Sequence, residues 1–508
     1  MPALEKSANA LADDDALLAD LGYQPELSRK MGSFGNFAIS FSVISVLSGC
    51  MTLYGFGLTT GGPAVMLWGW VGVGAMVMCV GAALAEITSA YPTSGALYYM
   101  AERLGGRRWG WYTGWLNLLG LLGAIAGIDY GAALFCGAFA NLQWGFSPTP
   151  GKTMLIYLVI LVLHALVNMS GVKLVDLLNS ISVWWHMGGV AVIVGALTFK
   201  PAHHRSAHFV FTTFANGTGW SSRFYVVALG LLLAQYTFSG YDASAHLSEE
   251  TTQAQISAPR GIMRAIGWSW VAGFVLLAGM TFAIQDYAGT LASDTGVPPA
   301  QIFLDALGAT GAKLLLALVI VAMLFCGNAE TAACSRMVFA FSRDRALPGW
   351  RWWRRVSGRN AAPKQAVWLA VTVAAVLALP SLYSPVAYGA VTAINVIGIT
   401  PAYAIPIFLR LRAGSEFVPG PWTLGRWSRP IGVVAVVWVA CVTVLFCLPQ
   451  TRPAHHLVTV QSFNYAPVAL AVVLVLATIW WWTAGRRSYD VPALAGQQEL
   501  ARYADEVV

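Results

Sequence analysis

Apolar residues come in long runs along this chain, and polar residues mark the gaps between them. Runs of roughly 17 to 25 residues are the length that crosses a bilayer as a helix. They lie near 34–59, 63–88, 109–140, 153–171, 174–199, 224–247, 262–287, 311–340, 365–383, 386–411, 430–449 and 464–484, bounded by Gly, Pro and clusters of charge. Lipid offers no hydrogen-bond partner, so a spanning segment must satisfy its backbone internally, as a helix does. The pattern predicts an all-α polytopic membrane protein with twelve transmembrane helices. Residues 1–33 and 486–508 fall outside the runs and are expected as cytoplasmic tails, the first of them flexible. The first tail carries Asp13, Asp14, Asp15, Asp20 and Glu26 with no apolar core ahead of Phe34, so no cleavable signal peptide is expected. Between the sixth and seventh runs, Ser248 to Arg264 is too polar to enter lipid and reads as a short surface helix and turn.

Composition agrees with this class: 57% of the 508 residues are hydrophobic and 10% are charged. A net charge of +7 would suggest nucleic acid in a soluble protein, but here the loops account for it. With both termini cytoplasmic, 24 of the 30 Lys and Arg residues fall on that side, the bias expected for an integral protein of the plasma (inner cytoplasmic) membrane. The densest block runs from Arg343 and Arg345 through Arg351, Arg354, Arg355 and Arg359 to Lys364. It reads as a cytoplasmic topogenic loop near anionic headgroups. The expected partners are therefore the lipid bilayer and a small molecule, with no nucleic acid. All seven cysteines lie within apolar runs without pairing or ligand spacing, and read as small core residues. His164 and His246 lack a third ligand at useful spacing, so neither a metal site nor a cofactor is expected.

The sixth run is not a plain span. After the apolar stretch Phe224 to Ala234 come Gln235, the pair Ser239-Gly240, Asp242 and His246. A carboxylate at mid-membrane costs about 2.5 kcal/mol or more on insertion scales, so Asp242 is expected to face a cavity. Five runs earlier, the first span carries Ser45, Ser48, Gly49 and Cys50 near its middle. Many secondary transporters repeat a five-helix unit in inverted orientation, with the first helix of each unit broken at the binding site. The matching Ser-Gly placement fits that arrangement.

Several segments together carry a family likeness. They are Leu21-Gly22-Tyr23-Gln24-Pro25, Asn36-Phe37-Ala38-Ile39-Ser40, Gly61-Gly62-Pro63, Ala90-Tyr91-Pro92-Thr93-Ser94-Gly95, Gly240-Tyr241-Asp242-Ala243-Ser244-Ala245-His246 with Glu249-Glu250-Thr251, and Ala340-Phe341-Ser342-Arg343-Asp344. The sequence resembles the amino acid/choline transporter family of the amino acid-polyamine-organocation superfamily, from about residue 21 to about 485. The resemblance implies a transporter domain over 34–485, with inverted repeats near 34–199 and 224–411 and two extra helices over 430–484. It implies substrates among amino acids such as 4-aminobutyrate, choline and polyamines. It implies that the broken part of span one, Ser45 to Cys50, offers free N–H groups to a substrate carboxylate. The broken part of span six, Phe238, Ser239, Gly240, Tyr241 and Asp242, would offer carbonyls to its ammonium. Helix-end electrostatics point the same way, since a free N-terminus favours an anion and a C-terminal end a cation.

In several superfamily members a lysine on span five sits beside span one. The corresponding position here is His186, which suits a proton because histidine titrates near pH 6.5. Proton-coupled transport with His186 as the coupling residue is the resulting expectation. Asp129 on span three suits a substrate amine, and an internal hydrogen bond suits it equally; Glu330 on span eight resembles it in kind. Asp242 reads more readily as a structural carboxylate that fixes the unwound backbone. Glu86 is expected in a salt bridge at a helix end, with the Arg103 region or the loop between spans eight and nine.

A membrane-embedded enzyme is disfavoured, since no paired His-carboxylate motif, flanked nucleophilic serine or nucleotide loop is present. A major-facilitator protein would want an Asp-Arg pair between spans two and three, where Ala101 to Arg108 has none. The remaining alternatives are a choline, 4-aminobutyrate or polyamine permease or exchanger, and a non-transporting sensor on the same fold. The absence of a dense acidic cluster favours amino acids over polyamines.

Overall fold

The computed structural model describes residues 2–293, 295–356, 362–383, 386–452, 459 and 463–492, with backbone alone at 2–10, 386 and 387. Arg359 of the basic loop and residues 493–508 of the expected C-terminal tail lie outside the described residues. Among the described residues, eleven helices are long and apolar enough to cross a membrane. They are Ser33–Thr52, Gly62–Ala90, Arg107–Trp144, Pro150–Met169, Val172–Phe199, Ala254–Phe282, Pro298–Arg343, Lys364–Leu382, Tyr388–Glu416, Gly425–Cys447 and Ala466–Ser488. We number them spans one to five and seven to twelve. The run expected as span six is in pieces, Arg223–Gly230, Leu232–Thr237 and Ala243–His246, each too short to cross alone. The long run Pro298–Arg343 turns at Gly308 (φ 72°, ψ 177°), so a short helix precedes span eight proper.

Span four shows why this composition does not make a soluble fold. Thr149 Oγ1 caps its first turn and Pro150 occupies N1, where a missing N–H costs nothing. Beyond that, Leu155 (64% exposed), Val159 (62%), Val162 and Leu166 point outward at helical spacing. The inward face holds Tyr157, His164 and Asn168. Apolar outside and polar inside is the order lipid imposes. Inside the bundle, span three packs on spans eight and ten, span two on seven and eleven, and span one on five and seven.

The N-terminal segment is packed rather than flexible. Helix Pro2–Asp20 leads into a chain whose Leu18, Leu21, Tyr23, Leu27 and Met31 are all buried. Arg29 donates to the carbonyl oxygens of Ser248 (3.3 Å) and Thr251 (2.8 Å), and the amides of Lys30 and Met31 donate to Glu250 O. Asp14 caps span seven from a distance: its carboxylate accepts from the amides of Gln253 (2.6 Å) and Ala254 (3.3 Å). Gln253, in a left-handed conformation (φ 51°), supplies no cap of its own. Asp14→Ala is expected to cost about 1 kcal/mol, as loss of an N-cap does. Thermal unfolding in detergent should show a larger loss for Asp14→Ala than for Asp15→Ala, whose half-exposed carboxylate reaches Arg29 at 3.3 Å. Equal losses would refute the cap.

The segment after span six also departs from the surface reading. Ser248–Glu250 is a single 3₁₀ turn, and span seven begins at Ala254 and runs through Pro259. Glu249 and Glu250 are buried because Arg343 and Arg336 reach them from span eight, 94 and 86 residues along the chain. Glu86 likewise finds different partners from those expected. It accepts from Thr423 Oγ1, Leu424 N and Ser428 Oγ, and lies 3.6 Å from Arg410, all near the loop between spans ten and eleven.

Candidate functional site

Span one is interrupted at Ser45, a non-glycine residue with φ 28° and ψ 86°. Helix resumes at once as Val46–Thr52, so Ser48, Gly49 and Cys50 are helical, and the interruption is narrower than the expected Ser45 to Cys50. Ser45 Oγ accepts from Ser48 N (3.1 Å) and caps the second half-helix. Among the described residues, the amides of Val46 and Leu47 have no backbone acceptor, as the first turn of any helix leaves them.

Span six stops at Thr237 and resumes at Ala243, with Gly240 at φ 84° between. The two interruptions lie against each other. A Cβ on Gly240 would stand 2.1 Å from Val43 Cγ1, and a Cβ on Gly49 would stand 2.5 Å from Thr237 Oγ1. Polar bonds tie the halves beyond the break: Ser40 Oγ donates to Tyr241 O (2.6 Å), and Asn36 Nδ2 donates to Ser244 O (2.9 Å).

His186 of span five sits on the interruption of span one. Its Nε2 is 2.6 Å from Ser45 Oγ, and its Nδ1 is 2.8 Å from the carbonyl oxygen of Ser182. A carbonyl can only accept, so the Nδ1 proton points there. Nε2 of the neutral ring then accepts from the Ser45 hydroxyl.

A small void opens between the breaks, with room for about one water molecule. Ser48, Gly49 and Ser239 line it, together with Tyr236 and Thr237 of span six, Ala124 and Ile128 of span three, and Cys326 of span eight. The other expected residues face elsewhere. Phe238 packs on Trp70 (ring centroids 4.3 Å), Tyr241 on Tyr403 (4.6 Å), and Cys50 is buried in the core. Asp242 is fully buried and held by protein groups. It accepts from Tyr403 Oη (2.7 Å) and Asn117 Nδ2 (3.4 Å), and His246 Nε2 lies 3.2 Å away, off the hydrogen-bond line. Tyr403 Oη also accepts from Gly240 N, so one phenol fixes both the acid and the break.

Asp129 pairs through Oδ2 with His164 Nδ1 (3.0 Å), and its Oδ1 has no hydrogen-bond partner among the described residues. Gly327 leaves space for it, since a Cβ there would meet Oδ1 at 1.9 Å. Glu330 follows one turn later on span eight. Among the described residues, both its oxygens and the Tyr236 hydroxyl are buried without a partner. Such orphans are costly, of order 1–3 kcal/mol each, and they mark a polar region among spans three, six and eight. Sequence reasoning missed Tyr403, Asn117 and Asn395. Each was detectable as a polar residue within an apolar run, where an amide or phenol demands a partner. Asn395 binds Ser239 Oγ and Gly120 O.

A second polar cluster closes the end of the bundle where the N-terminal segment packs. Arg343 grips Glu249 with two 2.9 Å bonds and lies 3.8 Å over the Tyr23 ring. Burial alone would raise the Glu249 carboxyl, but Arg343 outweighs it and holds it below the ordinary range. Asp344 accepts from the hydroxyls of Tyr23 (2.7 Å) and Tyr98 (2.9 Å). Burial pushes its carboxyl up to about 7 against the pull of Arg343 and both phenols. Stability from neutral Asp344 is fully present below its ordinary value of 3.8 and is lost as pH rises through about 7. Thermal midpoints should therefore fall between about pH 4 and pH 7 and level off above, and Asp344→Asn should flatten that slope. An unchanged slope in the variant would dismiss Asp344 as its source. Glu249 acts in the opposite sense and at lower pH, losing its contribution only as pH falls below its ordinary 4.5.

Among the described residues, no group of three His, Cys, Asp or Glu side chains is arranged to hold a metal. A family model described as amino acid permease matches residues 32–476. Amino-acid permease BAT1 of Arabidopsis thaliana is 39% identical over 496 residues, covering 94% of this chain and 95% of that protein. The BAT1 homolog of Oryza sativa subsp. japonica is 40% identical over 513 residues, covering 97% and 98%. The GABA-specific permease of Saccharomyces cerevisiae is 29% identical, covering 95% and 86%.

Proposed function

We propose, from the premise that this chain belongs to the amino acid permease family and is a membrane transporter, that it carries a small amino acid by alternating access between the broken halves of spans one and six. The observation that carries this is the meeting of the two interruptions at Val43, Gly49, Thr237 and Gly240. The free amides of Val46 and Leu47, at the positive end of a half-helix, suit a substrate carboxylate. The span-six carbonyls, with Tyr236, Glu330 and Asp129 nearby, suit its ammonium. Because a relative is named for GABA, 4-aminobutyrate belongs in the first substrate panel. In this reading the broken segment after Arg223 is the twelfth crossing, the two halves of the fold are inverted repeats, and both termini are cytoplasmic in the plasma membrane.

The His186 to Ser45 contact supports proton coupling in this reading. On protonation, Nε2 must donate, so the Ser45 hydroxyl hydrogen has to turn away. The cap on the second half-helix then depends on the charge of the ring. The test is uptake into proteoliposomes of neutral, cationic and anionic amino acids, 4-aminobutyrate, choline and putrescine, under a proton gradient, a sodium gradient or neither. Saturable proton-driven uptake of an amino acid is expected. No uptake or exchange of any amino acid would overturn the reading. His186→Gln is expected to reduce proton-driven accumulation at least tenfold, equivalent to about 1.4 kcal/mol of lost coupling, while exchange persists. Full accumulation with an unchanged pH profile would remove His186 from the mechanism.

A further inference from the structure

The connection from span eight to span nine carries more structure than a topogenic loop requires. Helix Trp350–Trp353 presents aromatic and basic residues together. Arg345, Arg351 and Arg354 lie 5.4, 5.3 and 5.3 Å from the Trp350 ring centroid, and Arg355 lies 4.7 Å from that of Trp352. All four arginines are exposed. Among the described residues, none of the four has a carboxylate within 4 Å. Stacking on indole orients a guanidinium while leaving its edge donors free, which suits a phosphate.

The same segment roofs an apolar groove of about 360 Å³, in the size range of ligand pockets. Leu347, Pro348 and Trp353 form its upper wall; Trp115 and Leu122 of span three and Val373 of span nine continue it. Trp353 Nε1 donates to Pro348 O (2.9 Å), which holds the roof closed on itself. Exposed arginines thus flank, along the chain, the residue Trp353 that walls a slot lined almost wholly by carbon, in a protein whose outer wall faces lipid.

We propose that this slot binds one anionic phospholipid, with an acyl chain in the groove and the phosphodiester on Arg351, Arg354 and Arg355. Charge complementarity selects the headgroup and the groove selects the chain. A free anion would satisfy the arginines alone, a neutral lipid the groove alone. The site is independent of the transported substrate.

The test is retention of phosphatidylglycerol against phosphatidylcholine by the full-length protein, read by native mass spectrometry after extraction from mixed vesicles. The unmodified protein is expected to prefer phosphatidylglycerol by about tenfold or more, since each basic residue near an anionic surface contributes appreciably. The triple variant R351Q/R354Q/R355Q should lose that preference, and Val373→Trp, which fills the groove, should lose it as well. Equal retention of both lipids by the unmodified protein overturns the proposal. So does a preference that survives loss of the arginines. Loss with the arginines but not with Val373→Trp would mean diffuse surface charge only, and overturns it. Displacement of the lipid by soluble glycerol phosphate at equal concentration would assign the site to a free phosphate, and also overturns it. Should the arginine variant fail to fold, the unmodified protein and Val373→Trp still decide.

Discussion

Gly240→Ala is expected to abolish uptake and to cost about 2–5 kcal/mol of stability. Two separate effects add. Residue 240 has φ 84°, a region that costs an L-residue roughly 1–2 kcal/mol. The new methyl would also sit 2.1 Å from Val43 Cγ1 and 3.5 Å from Glu330 Oε2. Overpacking of that kind typically costs about 1–3 kcal/mol. Val43 cannot move freely, because its carbonyl oxygen accepts from Cys326 Sγ at 3.2 Å. The strain must therefore push span one away from span six, where the substrate path is proposed. Val43→Ala in the Gly240→Ala background removes the overlap but not the backbone strain, so it should recover part of the loss. Uptake and thermal midpoint in detergent are the measurements. Normal values for Gly240→Ala would show that the two breaks are not packed as described.

Arg336→Ala should be as damaging, for an electrostatic reason. Arg336 and Glu250 are both fully buried and paired at 2.8 Å. Removing one partner leaves an uncompensated charge, at a cost of about 3–5 kcal/mol. Glu250 O also accepts from the amides of Lys30 and Met31, so the N-terminal segment should loosen with it. The double variant Arg336→Met with Glu250→Leu replaces the pair by apolar bulk and should recover most of the folded yield, since such swaps are often neutral. Monodispersity on size exclusion, before and after heating, reports it. A single alanine variant as stable as the unmodified protein would contradict the pairing.

The eleven long spans were legible in the sequence because lipid leaves a spanning backbone only one economical solution. The breaks were legible only in part. Ser239-Gly240 does mark the interruption of span six, where glycine supplies φ 84°. The similar Ser48-Gly49 of span one stays helical, and its glycine serves close packing against Thr237. The interruption there falls at Ser45, whose strained φ is held by His186 and by the turn that follows, and no local residue signals it. Glu249 and Glu250 read as surface because polarity is visible in a sequence and partners are not. Their arginines come from a helix about ninety residues away. Asp242 was a better case. Its acid stood out in an apolar run, although nothing nearby announced Tyr403 as its donor.

The Tyr23 hydroxyl on Asp344 spans 321 residues of chain. Ribosomes add about 5–20 residues each second, so roughly 15–60 s pass between the synthesis of these two partners. During that interval Leu18, Leu21 and Tyr23 have no completed surface to cover them. The first thirty residues gain partners at Ser248 to Ala254 first, and Asp344 completes their cover later. A chain stalled before Ser248 should therefore expose its N-terminal helix to protease, and one released beyond Asp344 should not.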